Sequence, residues 1–258
     1  MSLDISHILN GWPYEPGQVT VRRVGGSDGR EKIQLRLDLG LLQMETTGRP
    51  DGQRPHGQES LLAYYEQQLE RYRQEHGSDE GFTLDERACE LLRGEGTMYY
   101  HRYLAEFVLE DFEGVERDTM RNLRMFDFCA AYAKEESDRY IQEQYRAYVI
   151  MMRTRSRAHV FLRDNRPKAA LTALRKGIEE IRGFYKRFGQ EKALAGSGEL
   201  AVLRAMAKEI EGRIPVDPIR KLKQELARAV REERYEEAAG IRDQLRRMTG
   251  EQGGSPPD

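Results

Sequence analysis

Cysteine and tryptophan are scarce and long apolar runs are missing, and each shortage narrows what the chain can be. The two cysteines, Cys89 and Cys129, lie far apart without CxxC spacing. That excludes a zinc ribbon and a disulfide framework and leaves them as small apolar residues of a reducing cytoplasm. No stretch approaches the ~18 consecutive apolar residues of a membrane helix, and the start MSLDISHILN has no basic segment followed by an apolar one. A soluble cytoplasmic protein without a membrane partner is expected. The five histidines, His7, His56, His76, His101 and His159, stand in separate segments with no HExxH spacing, so no metal site is expected. GxxxxGK[ST] and GxSxG are absent as well. Acidic pairs such as Glu179 and Glu180 read as solvated faces. No catalytic residue, no cofactor and no enzymatic activity are therefore expected.

What is present is charge. Hydrophobic residues make up 38% and charged residues 33%, with a mean hydropathy of -0.78, a profile that suits a helical protein with much surface. The net charge of -2 gives no bulk attraction to nucleic acid, but the charges are unevenly placed. Residues 59–143 hold ten Lys or Arg against twenty-one Asp or Glu, whereas residues 146–187 hold twelve against three. The second block includes Arg153, Arg157, Arg163, Arg166, Lys168, Arg175 and Lys176, a footprint of the kind that meets nucleic acid or another anionic partner. The competing and favoured reading is that basic helices pack beside acidic ones and the fields cancel.

Along the chain, residues 4–10 read as a helical turn or two. Trp12 then sits in a Pro-rich segment as an anchor for it. Residues 19–24 and 32–39 read as a β-hairpin, because Ile33, Leu35, Leu37 and Leu39 alternate with polar residues. Past Gly40, Leu41, Leu42 and Met44 place apolar side chains on both faces, so the sheet is covered twice there or turned by the glycine. Residues 46–57, TTGRPDGQRPHG, form a loop in which Arg49, Asp51, Arg54 and His56 are a candidate binding surface. Turn chemistry with solvated side chains is the plainer reading. From residue 59 the period is helical. Thr83 and Glu86 are a candidate capping box, and helical runs follow at about 83–95, 98–110, 113–134, 138–163, 167–188 and 199–211. Tyr99, Tyr100, His101 and Tyr103 form a cluster that could meet an aromatic or acidic ligand, but at helical spacing Tyr99 and Tyr103 are expected to pack against a neighbouring helix. Ala158, Phe161, Ala170, Leu174 and Gly177 follow a small–large pattern similar to that of a tetratricopeptide helix pair. The fold class expected is mostly α. An N-terminal segment with a β-hairpin (1–58) precedes a helical-repeat-like, TPR-like body (59–212), a C-terminal helical hairpin (213–249) and a disordered tail (250–258).

The hairpin is the most informative stretch. Ile219, Leu222, Leu226, Ala229 and Val230 recur every three or four residues and make one stripe, introduced by Asp217 as N-cap and Pro218 in the first turn. Tyr235, Ala238, Ala239, Arg242 and Leu245 make a second stripe, with Glu236 and Glu237 where the helix dipole favours acids. Residues 213–216, RIPV, break the chain before it. Nine Lys or Arg against seven Asp or Glu over residues 216–248 give the hairpin itself no nucleic-acid character. A pair this short holds no core alone and must pack on something, either the rest of the chain or another hairpin.

Those residues, with Glu233, Ile241 and Asp243, resemble the UVR motif, the helical hairpin of the excinuclease B and C subunits that also occurs in Clp chaperone ATPases and some of their adaptors. The resemblance implies that Leu222, Leu226, Ala229, Val230, Tyr235, Ala238, Ala239, Arg242 and Leu245 bind another such hairpin, in a homodimer or in a protein partner. It points to an excinuclease subunit or a Clp-type ATPase as that partner, and so to an adaptor or scaffold. The nuclease and helicase parts of excinuclease subunits are absent. The alternative is a nucleic-acid-binding repair accessory protein that uses residues 146–187 while the hairpin recruits.

Overall fold

In the computed structural model, which describes residues 4–214 and 218–249, the alternation around Ile33 and Leu35 becomes the middle strand of an antiparallel sheet. The strands β1 (Val21–Gly25), β2 (Glu31–Arg36) and β3 (Leu41–Glu45) lie in the order β1-β2-β3. The expected hairpin thus gains a third strand. After Gly40 the chain pairs back, placing Leu42 opposite Leu35 and Met44 opposite Ile33. A two-stranded ribbon is marginal in water, and this sheet gains support by burying one face: Ile33, Leu35 and Met44 cluster with Ala105, and Val21, Leu42 and Leu109 pack around them. On the other face Gln34 bridges Arg22 and Gln43 at 2.8 and 2.9 Å. The Arg22 guanidinium lies 3.9 Å over the Trp12 ring, which clips the Pro-rich segment after α1 (Ser6–Leu9) to the sheet.

The helices begin where side chains satisfy their first N–H groups. Ser60 caps α2 (Leu61–His76), and Gly77, at φ 77°, ends it. The next helix, α3 (Glu86–Val108), corrects two expectations. Its cap is Asp85, which accepts from Ala88 N at 2.7 Å, because Leu84 is held extended by backbone bonds to Tyr132 and Lys134. It also runs unbroken through Gly94 and Gly96, where two runs were expected. Then come α4 (Phe112–Tyr132), α5 (Glu136–Tyr140) and α6 (Arg146–Arg163). One helix from residue 138 was expected. It is instead broken at residues 141–145: Asp138, inside α5, pairs with Arg93, and Arg146 grips Glu143 at 2.5 and 2.7 Å as α6 starts. After α7 (Pro167–Arg187) and α8 (Gly198–Arg213), the helices α9 (Pro218–Arg231) and α10 (Tyr235–Thr249) form the C-terminal hairpin. The chain divides into two compact units, residues 1–208 and 209–258. Asp217, the break at 215–216 and the tail at 250–258 lie outside the described residues. No described helix is long and apolar enough to cross a membrane.

Three helix pairs share one turn. After α3, α6 and α9 the chain enters the left-handed region at Glu110, Asn165 and Glu233, with φ of 59°, 55° and 57°. In each case the following amide bonds back to the carbonyl five residues earlier, as in Asp111 to Glu106, Arg166 to Phe161 and Arg234 to Ala229. Between α6 and α7 the small residues let the backbones approach. Ala158, Ala170 and Leu174 are fully buried, and a Cβ at Gly177 would lie 2.2 Å from Thr154 Oγ1. Overpacking of this kind costs roughly 1–3 kcal/mol. Gly177→Ala should lower the unfolding free energy from denaturant titration by that amount, and a Thr154→Ala change in the same chain should recover part of the loss. A neutral Gly177→Ala would show that the two helices are not in contact there.

Candidate interaction hairpin and buried charge cluster

The hairpin sorts its apolar residues into two sets. Ala229, Ala238 and Leu245 are buried, whereas Leu222, Leu226, Ala239 and Ile241 are only half-covered. Val230 and Tyr235 remain 51% and 66% exposed, and Arg242 is exposed as well. Two of the three inner positions are alanines where the helices meet, with Leu245 the third, and among the outer ones Val230 and Tyr235 leave apolar surface exposed. Ion pairs hold the turn: Arg228 to Glu232 at 2.9 Å, and Arg234 to Glu232 at 2.7 Å and to Glu237. The residues expected to bind a partner thus lie on one small element, with a closed seam and an open apolar flank.

The basic block does not stand free. Arg153 pairs with Glu180, Arg157 with Glu116 at 3.0 Å and Arg163 with Glu113, so α6 draws acids from both α4 and α7. Arg166 lies 5.0 Å over the Phe161 ring. Arg153, Arg157 and Lys176 border one shallow cavity between α6 and α7, together with Phe161 and Gly177. The loop at 46–57 is divided in the same way. Arg49 points inward, 3.4 Å from Asp51 and 3.2 Å from Glu95, while His56 turns away to stack on Tyr64 at 4.0 Å. The loop residues therefore do not converge on a site of their own.

Where Arg49 goes, a cluster of buried charge begins that sequence reasoning missed. Glu95, fully buried on α3, accepts from the amides of Leu61 and Leu62 at 2.7 and 3.2 Å and pairs with Arg121. One turn to two turns on, Arg102 forms a two-pronged pair with Asp118 at 2.6 and 2.8 Å and donates to the carbonyls of Glu45 and Gly48 at 3.1 and 2.8 Å. Arg117 joins Asp118 at 2.8 Å and Glu106 at 2.6 Å. Gly114 makes room for this, since a Cβ there would meet the Glu106 carboxyl at 2.6 Å. Burial first, and the Asp118 charge second, push the Glu106 carboxyl up to about 8. A signal existed. Glu95, Arg102 and Glu106 continue the three-and-four spacing of Ala88, Leu92 and Tyr99 on α3, which puts charge in a core stripe.

The aromatic cluster is split by the fold. Tyr99 and Tyr103 are buried as expected, whereas Tyr100 is exposed. With Tyr103, Phe126, Tyr145 and Tyr148 it lines an open cleft of about 690 Å³ between α3, α4 and α6. Among the described residues, no group of three or more His, Cys, Asp or Glu is placed to hold a metal ion.

A carboxyl whose folded value lies above its ordinary 4.5 binds its proton more tightly in the folded state. Its contribution to stability is therefore present at low pH and is lost as pH rises from about 4.5 to about 8. Thermal unfolding followed across that interval should show a falling midpoint. In Glu106→Gln, which keeps the shape without the charge, the profile should be flatter and the protein more stable than the parent at the alkaline end. An unchanged slope would mean that Glu106 is ionised in the folded protein.

No curated protein and no solved structure matches the chain. Residues 217–248, however, match the family model described as the UvrB/uvrC motif, which covers α9, the turn at Glu233 and nearly all of α10. The chain carries this motif as its C-terminal helical hairpin.

Proposed function

We propose that the protein is a non-catalytic adaptor or scaffold that engages a protein partner, or a second copy of itself, through its C-terminal hairpin. The observation that carries this is the division within the motif: a closed inner seam beside Val230 and Tyr235, which stay largely exposed. Large apolar residues left uncovered on a two-helix element are what an interface between helices consumes. The motif's name ties it to excinuclease subunits, so the partner to look for first is such a subunit, and a Clp-type ATPase with a hairpin of this kind is the next. The basic helices support the nucleic-acid alternative less well, because Arg153, Arg157 and Arg163 already have acidic partners.

The test is affinity capture from nuclease-treated lysate, comparing the parent with Val230→Asp and with a chain ended after Ile214. Each should lose the same partner, because an unpaired charge buried in an interface costs several kcal/mol. Val230 is exposed in the free hairpin, so far-UV circular dichroism of the Val230→Asp protein should match the parent. If both altered chains retain every partner, the hairpin is not the interface.

A further inference from the structure

A second cavity, of about 570 Å³, opens where the start of α2 and the loop after β3 meet α3, α4 and α6, and its wall includes Arg102, Arg117, Arg121, Arg124 and Arg153. We infer that this cavity is a binding site for a small organic phosphate, with the guanidiniums around the phosphate oxygens and an apolar wall for the organic part. The arginines come from three helices: Arg102 from α3, Arg117, Arg121 and Arg124 from α4, and Arg153 from α6. On α4 the spacing of four and then three puts all three on one face. A planar carboxylate is satisfied by one guanidinium fork, whereas a tetrahedral anion presents oxygens in several directions and takes donors from several sides.

A second observation is independent of how many arginines there are. Arg121 is only 8% exposed, and among the described residues its Nε has no hydrogen-bond partner. Arg49 Nε, in the same cluster, stands 3.2 Å from Glu95 without making a hydrogen bond. Buried guanidinium donors without acceptors cost more than ordinary unpaired groups and mark a place where a partner belongs. The carboxylates in the wall are Glu59, Asp118 and Asp127. Of these, Asp118 already serves both Arg102 and Arg117. Arg121 also pairs with Glu95, Arg124 with Glu66 at 2.8 Å and Arg153 with Glu180, and a guanidinium, with five N–H donors, is not exhausted by one carboxylate. Tyr99, Met120, Leu123 and Ala63 complete the wall. The Tyr99 ring has Arg121 at 4.3 Å and Arg102 at 5.0 Å. The volume falls in the ~300–1,000 Å³ range of sites for small organic molecules and is roomier than free phosphate needs.

The experiment is isothermal titration of the full chain at matched ionic strength with three probes: inorganic phosphate, pyrophosphate and adenosine 5′-monophosphate. Arg121→Gln would strand the buried Glu95 and risks unfolding, so the altered chains are Arg124→Gln and Arg117→Gln, whose side chains are 60% and 43% exposed. Arg87→Gln, at a residue paired with Glu90 on the surface of α3, is the control. The expected result is saturable one-site binding of the nucleotide, tighter than that of inorganic phosphate. It should weaken roughly tenfold or more in each altered chain, as the loss of a charge-assisted bond implies, and stay unchanged in the control. No saturable binding of any probe at millimolar concentration, or binding that both altered chains retain in full, overturns the site. Inorganic phosphate binding as tightly as the nucleotide overturns the organic ligand.

Discussion

Taking the Arg102 guanidinium out of water is expensive unless every donor finds an acceptor, and the arrangement of the larger unit follows from how that demand is met. Its acceptors are Asp118 on α4 and the carbonyls of Glu45 and Gly48 at the end of β3. One side chain therefore fixes the sheet, the loop that follows it and the α3–α4 pair against one another. Glu95 does the same at the other end, joining the start of α2 to α4 through Arg121. These contacts are directional, whereas the apolar contacts around Ile33 and Ala105 are not, so the charges set the register in which the apolar surfaces meet. Losing either partner would leave a buried charge without its counterpart, which costs about 3–5 kcal/mol in comparable cases.

How much of this could be read in advance depends on whether the deciding residues are neighbours in sequence. The pairing of α6 with α7 was legible, because Ala158, Ala170 and Gly177 are small where the helices touch, and Gly177 has to be. The alternation around Ile33 was legible for the same reason. β3 was not, since Leu41 and Leu42 are consecutive and follow a glycine, so neither face is favoured until β2 supplies a partner. α3 was expected as two runs, 83–95 and 98–110, with Gly94 and Gly96 close to the gap between them. In the fold Gly96 is an interior position where a Cβ would lie 2.6 Å from Met125 Cε, so the glycine serves close approach. The charge cluster was the hardest to see. Its α3 members sit in a core stripe, but the residues that make such burial tolerable lie at positions 45, 48 and 118.

The hairpin was the reverse case. Its stripes, the acidic first turn of α10 and the proline at the start of α9 are all local features, and the residues that match the motif coincide with the two helices. What spacing could not separate was the inner from the outer apolar positions. Ala229 and Val230 are adjacent in sequence and belong to the same stripe, yet one is sealed and the other open. Alanine serves where the two helix backbones come closest, at Ala229 and Ala238, while Leu245 closes the seam farther along.

Ser60 takes the amide of Ala63, and the two amides before it in the first turn of α2 are taken by an acid that lies on another helix. An isolated helix of this length is marginal in water, and the amides of Leu61 and Leu62 have no acceptor until α3 brings Glu95 beneath them. α2 and α3 thereby share hydrogen bonds that exist only while the two helices are docked. Fraying of helix ends normally makes their amides the first to exchange with solvent deuterium. Here Leu61 and Leu62 would exchange at the pace of the α3 core, and the start of α2 would open only when that core opens.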